Sequence, residues 1–374
     1  DYTGSGYYYL RHYSLNSNTW FNNRDGVAKD EDVQYQPGVR LGGPIVIPGL
    51  WNGRNKAFFF VNYEESRTPG QRTEDRTVLH PLAEQGTFRY NTSSGVREVN
   101  LLQLAANNGF LSTPDPTIAG VLRDIRSAVS GGPLRDVGEP LVQEFDYQFD
   151  TKNVTRYPTV RLDFNLTDRH RLSGSMNYTD LLSTPDTTNS REPNFPGFPG
   201  FGNQHSDRYT VQANLRSTIT GNLVNEFKVG GSGGATLFSP EIGIDQFLGT
   251  SIADQGGFFL DINGDELGIT NPHSTPNYSA REATTRIVQD TLSWLRGSHN
   301  VQAGFAFTQA DTWVENRRHV PTINFGIDSA DPAEAMFTTA NFPGASGAAL
   351  DQARELYATL TGRVSEITGE LRLD

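Results

Sequence analysis

The chain contains no cysteine, which excludes disulfide staples, zinc–thiolate centres and thiol nucleophiles together. No apolar run approaches the roughly 20 residues that a membrane-spanning helix requires; the longest, Ala57–Val61, is a quarter of that. Positive charge is also in short supply: 31 Lys+Arg stand against 43 Asp+Glu, for a net charge of −12 and a pI near 5.1. General nucleic-acid binding needs a basic footprint to displace counterions from phosphates, so that partner class is excluded. The 7 histidines are scattered, with no HExxH, GxSxG or P-loop pattern. The GGSGGA run at 230–235 lacks the following helix that a dinucleotide loop needs. A protein that is not an enzyme is the expectation.

What is plentiful is glycine and aromatic side chain. With 38 Gly, 14 Tyr and 22 Phe in 374 residues, the composition reads as β structure joined by long loops. Alternation supports this. In Thr159–Leu166, Val160, Leu162, Phe164 and Leu166 fall on one face, and Thr159, Arg161, Asp163 and Asn165 on the other. After a TDRH turn, Arg171–Thr179 alternates in the same way, which is a hairpin signal. Further segments of this kind are Arg208–Arg216, Leu223–Gly230, Thr284–Trp294 and Val301–Thr308, with Gly4–His12, Val33–Gly43 and Lys56–Glu65 towards the N-terminus. That makes about nine strands, most near the 9–11 residues of a tilted membrane strand.

The connections carry as much information as the strands. Short turns alternate with long polar stretches at Tyr13–Asp32, Ser66–Tyr157, Asp180–Asp207 and Gly231–Ala283, and a last stretch runs from Gln309. Short turns on one side and long loops on the other are the layout of an outer-membrane barrel. The expected fold is therefore all-β: an up-and-down antiparallel transmembrane β-barrel fragment of about nine strands, an open curved sheet with long extracellular loops carrying short helices. Leu162, Phe164, Leu172, Met176, Val211, Leu215, Val301 and Phe305 should face lipid, and Arg161, Asp163, Ser175, Gln212 and Gln302 the lumen. Gly4–His12 and Val301–Phe307 should lie at the two edges. Tyr7, Tyr8, Tyr9, Tyr63, Tyr178, Tyr209 and Trp294 fall near strand ends, where aromatic girdles sit.

Within the loops, Asp115-Pro116 reads as an N-cap with proline at the first helical position, followed by Ile118, Val121, Leu122, Ile125 and Val129 at helical spacing. Ser346 caps a second helix with Leu350, Ala353, Tyr357 and Leu360 on one stripe. The NFPGFPGFG run at 194–202 is an irregular turn cluster whose phenylalanines pack on a neighbouring loop or meet a ligand. The one candidate metal site is a possible Ca²⁺ loop in DINGDE, with Asp261, Asn263 and Asp265 at alternate positions and Gly264 for the turn. The position where such a loop carries its bidentate Glu is Pro272, and a simple Asn-Gly turn between short strands is the competing reading.

The stretch LGGPIVIPGLWNGRNKAFFFVNYEESR at 41–67 resembles the GGPI…NKxFFFxxYExxR signature of Oar-like TonB-dependent receptors. GSGYYYLRHYSLNSNTWFNN, RYPTVRLDFNLTDRHRLSGSMNYT, NLVNEFKVG and LSWLRGSHNVQAGFAF extend the resemblance, in order, across nearly the whole chain. The resemblance implies a wide, plugged outer-membrane barrel energised by the inner-membrane TonB complex through an N-terminal box. It also implies that residues 1–374 are a partial barrel domain, an internal fragment without plug, TonB box or C-terminal strands. The implied partners are outer-membrane lipid, the TonB complex through the parent's N-terminal region, and an extracellular ligand of unknown chemistry. A passive porin, a surface adhesin and a soluble carbohydrate-binding β-sandwich are the competing classes. In AFFFV, Phe58 and Phe60 fall on the face opposite Phe59, so one set of rings must pack inside the barrel.

Overall fold

The computed structural model describes residues 1–241, 257–273, 277–317 and 320–369. One sheet of 11 strands dominates: β1 (Thr3–His12), β2 (Val33–Pro44), β3 (Ala57–Leu79), β4 (Leu134–Asp136), β5 (Val142–Arg156), β6 (Thr159–Asn165), β7 (His170–Thr184), β8 (Asn203–Thr220), β9 (Leu223–Ser239), β10 (Tyr278–Arg296) and β11 (His299–Arg317). Its path is β1-β2-β3-β6-β7-β8-β9-β10-β11, each pair antiparallel, with β1 and β11 at the two edges. These nine are the strands that alternation marks.

Their lengths differ from expectation. β3 runs 23 residues and β10 and β11 run 19 each. At about 3.3 Å per residue, 19 residues reach about 60 Å, against an apolar barrel band about 25 Å tall. The ends of the expected loops Ser66–Tyr157, Asp180–Asp207, Gly231–Ala283 and the stretch from Gln309 are therefore strand. Beyond the membrane the ladder continues while the lipid-facing apolar row does not. β5 is the largest addition. It pairs with β3 and β7 in line with β6, and β5 and β6 are one strand parted at Tyr157-Pro158. Pro158 has no N–H to give, yet the ladder bridges the gap: Tyr157 N donates to Glu64 O at 2.8 Å, and Tyr178 N to Pro158 O at 3.0 Å.

The register sorts the side chains into two faces. Arg161 lies opposite Ser175, which lies opposite Gln212, and Gly230 and Ile287 follow in that row. The neighbouring row is Phe59, Leu162, Gly174, Ala213, Val229, Val288 and Phe307. All eight residues expected towards lipid share the second face, and all five expected towards the lumen share the first. The apolar face has no second layer over it: Leu162 is 38% and Phe305 57% exposed. Two polar pairs interrupt it near the β11 edge, where Asn225 Nδ2 donates to Asp290 Oδ1 at 2.8 Å and Arg286 meets Asp311 at 3.0 Å. An isolated carboxylate there would be costly, and each has a partner.

The long loops are not separate excursions. Parts of 78–145, 195–198, 260–269 and 325–360 share one hydrophobic core, forming a cap. Both expected helices are present. In α1 (Pro116–Val129), Asp115 Oδ1 accepts from Thr117 N at 2.9 Å and Ile118 N at 3.1 Å, and Ile118, Leu122, Ile125 and Val129 are buried. In α2 (Gly347–Thr361), Ala349 N donates to Ser346 Oγ at 3.1 Å. Here burial exceeds the expected stripe, since Glu355 through Thr361 are all buried. Phe195 and Phe198 of the Pro/Gly/Phe cluster enter this core, which is the packing alternative. Phe259–Asp261 pairs in parallel with Thr322–Phe325, and that strand pairs antiparallel with Val364–Thr368. DINGDE is thus a turn following a strand, but no hairpin.

Candidate functional site

The polar face of the sheet holds a concavity of about 530 Å³ lined by Arg161, Ser173, Ser175, Gln212, Asn214, Lys228 and Gln289. Gln212 Nε2 donates to Ser175 Oγ at 3.2 Å, and the Arg161 guanidinium makes two bonds to Asp163 at 2.7 and 2.8 Å. Such a surface offers hydrogen-bond donors and acceptors to water and polar solutes. Aromatic rings also stand on this face, among them Tyr7, Tyr9, Phe58 and Phe60. Register puts Phe60 opposite Arg161 and Gly42, and Phe58 opposite Asp163 and Pro44, on this same polar face, where they are 37% and 38% exposed. Phe59 faces the other way, opposite Leu162.

The cap sits over this same side. Val78 of β3 and Phe145 of β5 belong to the cap core. Each lies in register with the polar-face rows: Phe60, Val78 and the residues between them at even numbers alternate away from Phe59. Arg76, on the same side of β3, pairs with Glu192 of the β7–β8 connection at 2.9 Å. The opposite side of the same ribbon carries charge instead. Asp75 and Asp146 face each other across β3 and β5, and Arg135 reaches both, at 3.4 and 3.1 Å. Burial and the neighbouring Asp146 hold the Asp75 carboxyl above its usual range.

The Ca²⁺ candidate residues Asp261, Asn263 and Asp265 lie in the cap. Asp261 Oδ1 accepts from Asn263 N at 3.1 Å and from Asn271 Nδ2 at 2.8 Å. The amides of Asp265, Glu266 and Leu267 point at the buried Glu355 of α2, donating at 2.7, 2.6 and 2.8 Å. Gly264 permits this with φ of +61°, and a Cβ there would run into the Glu355 carboxylate. Burial pushes the Glu355 carboxyl up, and the three amides pull it back. The loop thus cradles the Glu355 carboxylate with N–H donors. Among the described residues no group of three or more acidic, His or Cys side chains is placed to hold a metal. Asp, Asn and Gly serve a tight turn and a calcium loop equally well, and the partner of this loop's amides, Glu355, lies some ninety residues away.

A second concavity, of about 750 Å³, opens higher on the polar face and is bordered by Arg208, Thr236, Phe238 and Arg281. Arg208 opens the alternating run 208–216, but no sequence signal joined it to Thr236, Phe238 and Arg281, which lie on neighbouring strands.

The sequence matches the family described as outer membrane beta barrel domain over residues 1–369, and the chain belongs to that family. The two-faced sheet is accordingly the wall of an outer-membrane β-barrel, its apolar side towards lipid and its polar side towards the lumen. No curated protein matches the chain. Among solved structures it is similar to the outer membrane transporter YddB from Escherichia coli, with a TM-score of 0.44 and 12% identity, over 87% of this chain and 33% of that one. The chain thus spans a third of the length of the solved structure it matches.

Proposed function

We propose that this chain forms wall and outer cap of an Oar-like TonB-dependent receptor, a transporter rather than an enzyme. The observation that carries the reading is the pair Phe58 and Phe60, exposed on the lumen side beside Arg161 and Asp163. Two neighbouring rings are poorly matched to a water-filled pore and well matched to a lumen filled by protein. The cap, packed on the same side through Val78 and Phe145, supports a guarded entrance over a freely open one. Both features suit a barrel that moves a captured ligand past an internal plug. The inner-membrane TonB complex would supply the energy through a region of the parent protein outside this chain.

The test is uptake by cells carrying the full-length protein, with and without a functional TonB complex. Loss of uptake in the TonB-deficient strain is the expected result. Uptake that persists undiminished would favour the passive porin. Replacing Phe58 and Phe60 with Ser sharpens the test: uptake should fall while barrel assembly continues, because neither ring faces lipid.

A further inference from the structure

We propose that the upper, lumen-facing wall is a binding site for a small, multiply charged anion bearing carboxylate or phosphate groups; this rests on the transport reading and names its substrate class. Arg208 and Arg281 border it, and Arg191 reaches the neighbouring Phe238 ring. Register sets Thr236 of β9 opposite Arg281 of β10, and Arg208 of β8 donates to Thr236 Oγ1 at 2.9 Å. Two residues farther along β9, on the same face, the Phe238 ring lies within cation–π reach of two guanidinium groups, 5.9 Å from Arg191 Cζ and 5.5 Å from Arg281 Cζ. Arg208, Arg281 and Phe238 border the concavity of about 750 Å³, a volume suited to a small metabolite.

None of these three arginines is matched to a carboxylate, unlike arginines in or beside the cap such as Arg76, which pairs with Glu192 at 2.9 Å, Arg126, with Glu84 at 2.8 Å, and Arg354, with Glu334 at 2.6 Å. Arg208 donates instead to the carbonyls of Asp207 and Ala235 and to the Thr236 hydroxyl. Arg191 donates to the carbonyls of Phe201 and Asn277. Arg281 sets its guanidinium against the Phe238 ring. Among the described residues none of the three forms an ion pair. In a chain of net charge −12, three guanidinium groups gathered around Phe238 and Thr236 with no ion-paired carboxylate among the described residues leave repulsion that a bound anion would relieve. The planar fork of guanidinium matches carboxylate and phosphate oxygens two at a time, and a cleft with low-dielectric walls concentrates the field.

The experiment is calorimetric titration of the full-length protein in detergent, with citrate as the probe, inorganic phosphate as a smaller anion and sucrose as the neutral control. Citrate should bind saturably, phosphate more weakly and sucrose not at all. Arg208→Gln and Arg281→Gln should each weaken citrate binding at least ten-fold, and Arg281→Lys, which keeps the charge and loses the fork, should fall between. Arg54→Gln, in the short turn at the far end of the wall, should leave binding unchanged. Absence of saturable binding by both anions would overturn the proposal. So would an Arg54→Gln variant weakened as much as Arg281→Gln, since binding would then follow net charge alone. The readout is an equilibrium one that needs no TonB complex, so binding can persist where the transport reading fails, and fail where uptake persists.

Discussion

Wall and cap use the same apolar residue types for opposite ends. On the wall, Leu162, Met176 and Val211 stand exposed in alternate positions with nothing packed over them. In the cap, Phe88, Phe195, Phe342 and Tyr357 are sealed from solvent. The wall is built to be solvated by lipid, and its stability comes from the ladder and the bilayer. The cap is an ordinary aqueous domain, held by the hydrophobic effect and close packing. Burial alone therefore separates the half of the molecule that needs a membrane from the half that does not.

The sharpest way to break this contrast is to cut into the cap core. Tyr357 is fully buried, its hydroxyl donating to Leu111 O at 2.7 Å and its ring beside Phe337. Tyr357→Ala should destabilise the cap by about 3–5 kcal/mol. Limited proteolysis should then cleave 80–141 and 320–363 while the wall strands stay protected. Simultaneous loss of protection in the wall would show one cooperative unit where two are described.

Next in size are charges placed in the lipid band. Leu162→Arg and Val211→Arg should each cost about 2–4 kcal/mol in folding into bilayers. Gln212→Asn, on the polar face, should cost little. Equal penalties on both faces would remove the distinction on which the wall reading depends.

A smaller effect is expected at the carboxylate cradle. Glu355→Gln leaves three amides with a single weaker acceptor, and loss of the charge-assisted bonds should cost the cap about 1–3 kcal/mol. Added Ca²⁺ should leave the cap melting temperature unchanged. A Ca²⁺-dependent rise that Asp261→Asn abolishes would restore the cation-site reading.

The smallest effect concerns pH. Because folding raises the Asp75 carboxyl, the folded ribbon holds that proton more tightly than the unfolded chain does. Its contribution therefore grows as pH falls through the raised pKa and is lost as pH rises above it. Protection factors in 66–79 and 142–156, corrected for the intrinsic pH dependence of amide exchange, should rise on mild acidification, and Asp75→Asn should flatten that rise. An unchanged profile in the variant would assign the effect to other groups around Arg135.

The wall was legible because its physics is local. Leu162 and Phe164 alternate with Arg161 and Asp163 within one short run, and a two-residue period between short turns needs no distant information. The helices were legible for the same reason, with Asp115 and Ser346 capping in place. The cap as a unit was not, because its core joins Phe88, Ile125, Phe195, Ile262 and Leu356 from segments far apart in the chain. Each piece alone looks like loop. The strand extension 66–79 escaped because it is polar for most of its length, and 142–156 because its alternating Phe145, Tyr147 and Phe149 lie within a long stretch with no turn signal beside them. Glu355 escaped because no local motif announces an acceptor for amides at 265–267.

The account rests most heavily on the two faces of the wall, and the absence of cysteine makes that directly measurable. Single cysteines placed in turn at 160 to 165 of the full-length protein in bilayers can be probed by a membrane-impermeant maleimide and by a fluorophore quenched by brominated lipid. Positions 160, 162 and 164 should be quenched by lipid and spared by the maleimide, and 161, 163 and 165 the reverse, with a period of two. Uniform accessibility along the run, or protection of the apolar positions without quenching by lipid, would contradict the barrel wall and place that face against protein.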